Sequence, residues 1–220
     1  MAKRKLIFFS ALWWAVLLVL LFATPYDVHL ARWVAAQPQD FRDVFAMLSQ
    51  PGDSAYYLWP SGLTLLALWL ARHRLQPRFP AAPFTRWRWM AGYVFVSVAL
   101  SGIAANIFKF LLGRPRPRHL IESDTTAWDF FASAGSWHSF PSGHTTTAAT
   151  VAVCGWLLSG RRYAGLWLLL VVVVATSRVF SNAHYSTDVM AGAFLGAAVA
   201  YGFWLYTTRT TNPLLRNSGF

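Results

Sequence analysis

Apolar residues in this chain gather into six long runs separated by short polar breaks: about Leu6 to Thr24, Ala55 to Ala71, Trp89 to Leu112, His144 to Ser159, Tyr163 to Ser177 and Val189 to Tyr206. Each is near the roughly 17 to 25 residues that a helix needs to cross hydrocarbon. The fourth run is short and opens with three threonines, and the fifth reaches full length only by borrowing residues at its ends. Backbone amides in lipid must be bonded internally, so runs of this kind predict helices rather than a barrel. The expected fold is all-α: a polytopic membrane protein with a six-transmembrane-helix bundle, formed by a single domain over residues 1–220.

The breaks between runs carry their own signals. Residues 25–54 mix Val28, Leu30, Trp33, Val34, Phe41, Val44, Phe45, Met47 and Leu48 with Asp and Arg, a pattern that suits interfacial amphipathic helices. The Gln50-Pro51-Gly52-Asp53 turn would then lead the chain back into the membrane. Between Arg72 and Arg88, three prolines and five arginines read as a connector beside anionic lipid.

Composition agrees with the pattern: 56% of residues are hydrophobic, 12% are charged and the mean hydropathy is +0.39. The net charge of +11 raises the question of nucleic acid, and the positions of the charges answer it. With the N-terminus inside, Lys3, Arg4, Lys5, Arg72, Arg74, Arg78, Arg86, Arg88, Arg161, Arg162, Arg209 and Arg216 all fall on the cytoplasmic side. All eight acidic residues (Asp27, Asp40, Asp43, Asp53, Glu122, Asp124, Asp129 and Asp188) fall on the other. Sorting by side satisfies the positive-inside rule for six spans with both termini cytoplasmic. It leaves no basic soluble face for nucleic acid. The Met-Ala-Lys-Arg-Lys start followed by an apolar run is read as a retained span, because no small-x-small cleavage site follows Thr24. Twelve tryptophans suit an interfacial belt or plain packing. Cys154, the single cysteine, is read as a core residue.

Three short stretches between Lys109 and Asp188 hold the reactive groups: K-x6-R-P (Lys109, Arg116, Pro117), P-S-G-H (Pro141, Ser142, Gly143, His144) and S-R-x5-H-x3-D (Ser177, Arg178, His184, Asp188). Ionisable groups beside hydrocarbon are costly and mark functional sites. Under the six-span topology every one of them reaches the same non-cytoplasmic face. Lys109, Arg116 and Arg178 offer three positive charges, the guanidiniums as forks and the lysine as a point charge. Pro141-Ser142-Gly143 precedes a helix, so the amides of Ser142, Gly143 and His144 can point at an anion, with the Ser142 hydroxyl as a further donor. His184 and Asp188 are spaced four apart, so the carboxylate can hold one imidazole nitrogen protonated while the other attacks phosphorus. His144 would protonate the departing alkoxide and then activate water. The cations do the electrostatic work, so no metal and no cofactor is expected.

These segments resemble those of the type 2 phosphatidic acid phosphatase superfamily of integral membrane lipid phosphatases, in order and in spacing. The resemblance implies that family's six-helix bundle, with His184 as nucleophile, Asp188 as its support and His144 as proton donor. It also implies phosphate contacts from Lys109, Arg116, Ser142, Gly143 and Arg178. The implied substrate is a membrane lipid carrying a terminal phosphate or diphosphate: undecaprenyl diphosphate, a lipid A phosphate, phosphatidylglycerol phosphate or phosphatidic acid. The implied setting is a bacterial inner membrane with a periplasmic active site.

Other readings stand beside this one. A phosphotransferase would pass the phosphoryl group from His184 to a second lipid, and a transporter or flippase would bind lipid phosphate without cleaving it. His119, His138, His144 and His184 put four imidazoles on one side, but without H-E-x-x-H or any close pair they do not form a zinc pattern. Arg114 and Arg118 flank the clamp, where contact with a second phosphate or a lipid headgroup is the alternative; they are read as solvated loop residues outside the core site. Trp128, Phe130, Phe131, Trp137 and Phe140 either line an entrance for acyl or prenyl chains or sit in the interface.

Overall fold

The computed structural model describes residues 26–75 and 81–210. The first apolar run, with Lys3, Arg4 and Lys5, lies outside the described residues. Among those residues there is no strand, and the chain forms α1 (residues 26–35), α2 (Gln39–Leu48), α3 (Ala55–Leu75), α4 (Ala81–Leu112), α5 (Pro117–Ser123), α6 (Gly143–Leu158), α7 (Ala164–Phe180) and α8 (Ser186–Thr210). Short 3₁₀ turns occupy Gln50–Gly52 and Gly135–Trp137. Five apolar runs therefore became α3, α4, α6, α7 and α8, each close to its expected limits. The connector expected from Arg72 to Arg88 is shorter than its prolines suggested. Helix α3 continues to Leu75 and α4 already begins at Ala81, where Pro83 sits in the first turn and its missing amide costs nothing.

Helix α6 is the axis of the bundle, with Thr145 to Ala152 all buried, and it packs against α4, α7 and α8. Its partners come close because small residues face it. A Cβ on Gly196 of α8 would lie 2.1 Å from the Thr146 carbonyl oxygen, and one on Gly192 would lie 2.6 Å from that of Ser142. Hydroxyls then bond across the seams: Thr150 Oγ1 donates to Ser101 Oγ of α4 at 2.9 Å. Small contact residues with hydroxyl bonds between helices are the packing mode of bundles in lipid, where apolar side chains gain nothing from meeting each other.

Large apolar side chains accordingly point outward. Trp59, Leu63 and Leu66 of α3, Ile103 and Ile107 of α4, and Leu166, Leu168 and Leu169 of α7 are all exposed. Each large side chain left in water forgoes roughly 1.5–3 kcal/mol of burial, so such belts are stable only inside hydrocarbon. Among the described residues, two stretches are long and apolar enough by length and composition to cross a membrane. They are Phe84–Ser123, which holds most of α4, and Ser186–Thr208 in α8, while Ala164–Phe180 is a shorter apolar helix.

The bundle has two unlike ends. At one, Tyr93, Cys154, Leu157 and Ala200 form a buried cluster roofed by Trp89, Trp156, Phe203 and Trp204, and the Tyr93 hydroxyl donates to the Ala200 carbonyl at 2.9 Å. Cys154 is thus a core residue, as its place in an apolar run predicts. At the other end the chain emerges from α4, enters α6, leaves α7 and enters α8, so Lys109, His144, Arg178 and Asp188 share one level. Helices α1 and α2 lie there too, and α2 has no buried residue and exposes Val44, Met47 and Leu48.

Candidate active site

Each candidate residue is placed by a helix end. Lys109 lies in the last turn of α4, and its ammonium sits so near the start of α6 that a Cβ on Gly143 would come within 3.2 Å of Nζ. Glycine at 143 is therefore a matter of space. Arg116 caps α5 with an extended backbone, donates its amide to the Ser136 carbonyl at 3.0 Å and its Nε to the Gly135 carbonyl at 3.2 Å. Burial weakens its hold on the proton relative to an ordinary guanidinium, although Asp188 opposes the shift. Arg178 ends α7; its Nη1 donates to Ser49 Oγ at 3.1 Å, and its buried Nε has no hydrogen-bond partner among the described residues.

Ser142 is the N-cap of α6 and is fully buried. Its amide does not face an anion, contrary to the expectation above: it donates to the Asp188 carbonyl at 3.0 Å, tying α6 to α8. The free amides at this helix start are those of Gly143 and His144, which as the first helical residues have no intrahelical acceptor. The Ser142 hydroxyl accepts from Thr145 Oγ1 at 3.1 Å and keeps its own proton to give.

His184 lies in the bend between α7 and α8, not on a helix. Its Nδ1 is 2.8 Å from the Ser139 carbonyl oxygen and 3.5 Å from Asp188 Oδ2. The carbonyl of Ser139, not the carboxylate, is the close partner that fixes the tautomer and leaves Nε2 free. Burial pushes His184 down to about 4, against the pull of Asp188 and with the help of Arg178 and Arg116, so the ring is neutral at pH 7. Asp188 is fully buried; Oδ2 accepts from the Ser139 hydroxyl at 2.6 Å and the Tyr185 amide at 2.9 Å.

Two residues that sequence reasoning missed complete this network. Arg114, read as a solvated loop residue, is buried: Nη1 donates to Asp188 Oδ1 at 2.5 Å and to Thr187 Oγ1 at 2.6 Å, and Nη2 to Asp27 Oδ2 at 2.8 Å. Its plane stacks on Tyr185, with the guanidinium carbon 4.3 Å from the ring centroid. Burial alone would weaken its basicity, but Asp188 and Asp27 more than offset this and raise it above the ordinary value. Ser139 has its own amide on the Arg114 carbonyl at 3.0 Å. Arg114 falls in the unspecified gap of K-x6-R-P and Ser139 stands two residues before P-S-G-H, so neither is a specified motif position. The signal available was the Gly113-Arg114-Pro115 context, in which a glycine free to take positive φ (54°) and a proline of fixed φ turn the chain tightly on either side of the arginine.

All eight candidates meet at one end of the bundle. The charges of Arg116 and Arg178 act on both His144 and His184, and that of Lys109 on His144. The turn at Gln50–Gly52 closes over His144: a Cβ on Gly52 would lie 2.8 Å from His144 Cβ and 2.9 Å from its carbonyl oxygen. Three cations, two free helix amides and a neutral imidazole with an open nitrogen make a receptor for a tetrahedral anion that can be attacked from one side.

Residues 90–212 match the PAP2 superfamily. The lipid A 1-phosphatase of Rhizobium johnstonii is 30% identical over 182 residues, covering 83% of this chain and 72% of that protein. The crystal structure of a transmembrane PAP2 type phosphatidylglycerolphosphate phosphatase from Bacillus subtilis superposes with a TM-score of 0.63 at 17% identity, covering 93% of this chain and 98% of that one. Aquifex aeolicus LpxE does so with a TM-score of 0.56 at 20% identity, covering 82% and 96%.

Proposed function

The chain belongs to the PAP2 superfamily, and we propose that it is a membrane lipid phosphatase that hydrolyses a terminal phosphate or diphosphate through a phosphohistidine at His184. The observation that carries the proposal is the neutral, carbonyl-anchored imidazole of His184 within the field of Arg116 and Arg178. In the first step Lys109, Arg116, Arg178, the Gly143 and His144 amides and the Ser142 hydroxyl neutralise the phosphate oxygens. The lone pair of His184 Nε2 forms the N–P bond as the P–O bond to the lipid breaks, and the leaving alkoxide takes the proton of His144. The bound dianion, set against this ring, supplies the negative charge that favours a proton on it. In the second step the neutral His144 takes a proton from water, the hydroxide oxygen bonds to phosphorus, and His184 leaves with its lone pair restored.

The similarity to lipid A 1-phosphatase favours a phosphorylated envelope lipid as substrate. Six spans with cytoplasmic termini and a site on the non-cytoplasmic face are our reading of the sorting of charges, and a bacterial inner membrane with a periplasmic site is what the family resemblance and the bacterial relatives support. The test is release of inorganic phosphate from lipid phosphates in detergent. Wild type releases phosphate with or without EDTA, and His184→Ala releases none. Equal release by both proteins rejects the hydrolase, and loss in EDTA with rescue by zinc rejects the metal-independent route.

A further inference from the structure

Asp27 stands outside the family match, outside the three motifs, and 87 residues from the arginine it binds. It is nevertheless 1% exposed, and every contact it makes is with a donor. Oδ1 accepts from the Ser186 hydroxyl and from the Thr187 amide at 3.2 Å; Oδ2 accepts from Arg114 Nη2 at 2.8 Å and from the Thr187 hydroxyl. Its two oxygens face a guanidinium, an amide and two hydroxyls and no other acceptor group, the surroundings that suit a carboxylate. Asp188 is the same kind of group on the opposite side of Arg114, with donors on both oxygens.

The arrangement is therefore a buried chain of charges, minus, plus, minus, ending beside the imidazole of His184. An Arg114–Asp188 pair alone would be neutral and would do no more than hold the carboxylate in place. With Asp27 added, the chain carries a net charge of −1 that no described side chain in contact with it cancels. The reaction proposed above supplies the missing charge. When Nε2 bonds to phosphorus, the ring keeps its Nδ1 proton on the Ser139 carbonyl and becomes cationic, 3.5 Å from Asp188. Among groups in direct contact, the network is one unit of charge short in the resting enzyme and balanced in the covalent intermediate; Lys109 and Arg116 feel Asp188 without bonding to it. Stabilisation that appears only as the bond forms lowers the barrier without tightening substrate binding.

We propose that Asp27 is an electrostatic positioning residue for His184: through Arg114 it holds Asp188 in place and supplies the unbalanced negative charge that stabilises the cationic phosphohistidine. This rests on the hydrolase reading, and the experiment separates the two. Wild type, Asp27→Asn and Asp27→Glu are assayed on a lipid phosphomonoester in detergent, with inhibition constants measured for vanadate and for inorganic phosphate. Vanadate takes up a bond from the nucleophile and reports the transition state, whereas phosphate reports the ground state, and neither constant depends on the folded fraction.

In Asp27→Asn, kcat falls by at least about tenfold, KM stays within about twofold, and the vanadate constant rises by a factor similar to the fall in kcat while the phosphate constant holds. Asp27→Glu, which keeps the charge, keeps the vanadate-to-phosphate ratio of wild type. An Asn variant whose two inhibition constants are unchanged, or move together, overturns the proposal while leaving the hydrolase intact. A wild type that releases no phosphate overturns the hydrolase itself. If Asp27→Asn does not fold, Asp27→Ser, which removes the same charge from a smaller side chain, is measured instead; its vanadate constant rises while its phosphate constant holds, and no rise overturns the proposal equally.

Discussion

At the scale of single residues, the site depends on groups that are costly to bury and are therefore sensitive to removal. Arg114→Leu leaves Asp27 and Asp188 facing each other without their cation. Breaking a buried pair in this way costs about 3–5 kcal/mol, so thermal unfolding in detergent moves to markedly lower temperature. His184 makes a pH prediction with a definite sign. Its native value of about 4 lies below the ordinary 6.5, so the unfolded chain binds more protons between those limits. Its contribution to stability is full above pH 6.5 and is lost as pH falls toward 4. Melting temperature measured over that window should drop in wild type and drop less in His184→Gln; equal slopes would contradict the assignment. The sequence made the motif residues legible because their types and spacing are their signature. It did not reveal Asp27, Arg114 or Ser139 as site residues, because a buried partner is defined by what lies across a seam between helices, and no local pattern encodes that.

At the scale of elements, the site is a set of helix ends held in register by close contacts. The α6–α8 seam sets the distance from Ser142 to Asp188, and Gly196 permits it, since any Cβ there would overlap the Thr146 carbonyl. Gly196→Leu forces the two helices apart and should lower both activity and melting temperature. Gly52→Ala makes a more selective test. Its added methyl meets His144 and Val174 at 2.8 Å, so the turn over the site must shift while the bundle beneath it stays packed. Activity should fall severalfold with the melting temperature nearly unchanged; unchanged activity would show that the turn has no part in placing His144. Helix existence and limits were legible from apolar runs long enough to span. The 3₁₀ turn was legible from Gln50-Pro51-Gly52-Asp53 as a turn but not as a neighbour of His144, because nothing in its own residues points to a histidine ninety positions on. Helix α5 went unread: seven residues carry too little periodicity to announce a helix.

At the scale of the whole molecule, charge and chemistry divide the bundle into two poles. Arg86, Arg88, Arg161 and Arg162 belong to the end that holds the aromatic cluster, and the acidic residues to segments at the site end. The same two groups of charges are legible in loop composition, which needs no tertiary knowledge. It predicts orientation. Cys154 is buried, so engineered cysteines can be read against a quiet background. In intact cells a membrane-impermeant maleimide should label Thr126→Cys near the site and spare Arg162→Cys at the opposite pole, and the reverse pattern would turn the protein over.

The convergence of Lys109, Arg116, His144, Arg178 and His184 on one phosphorus is tested most directly by trapping the covalent state. Rapid quenching of a reaction with a lipid phosphate labelled with radioactive phosphorus should give an acid-labile, base-stable phosphoenzyme mapped to His184, more abundant in His144→Ala and absent from His184→Ala. Phosphate released in full with no label on the protein, or label on any other residue, would contradict the account.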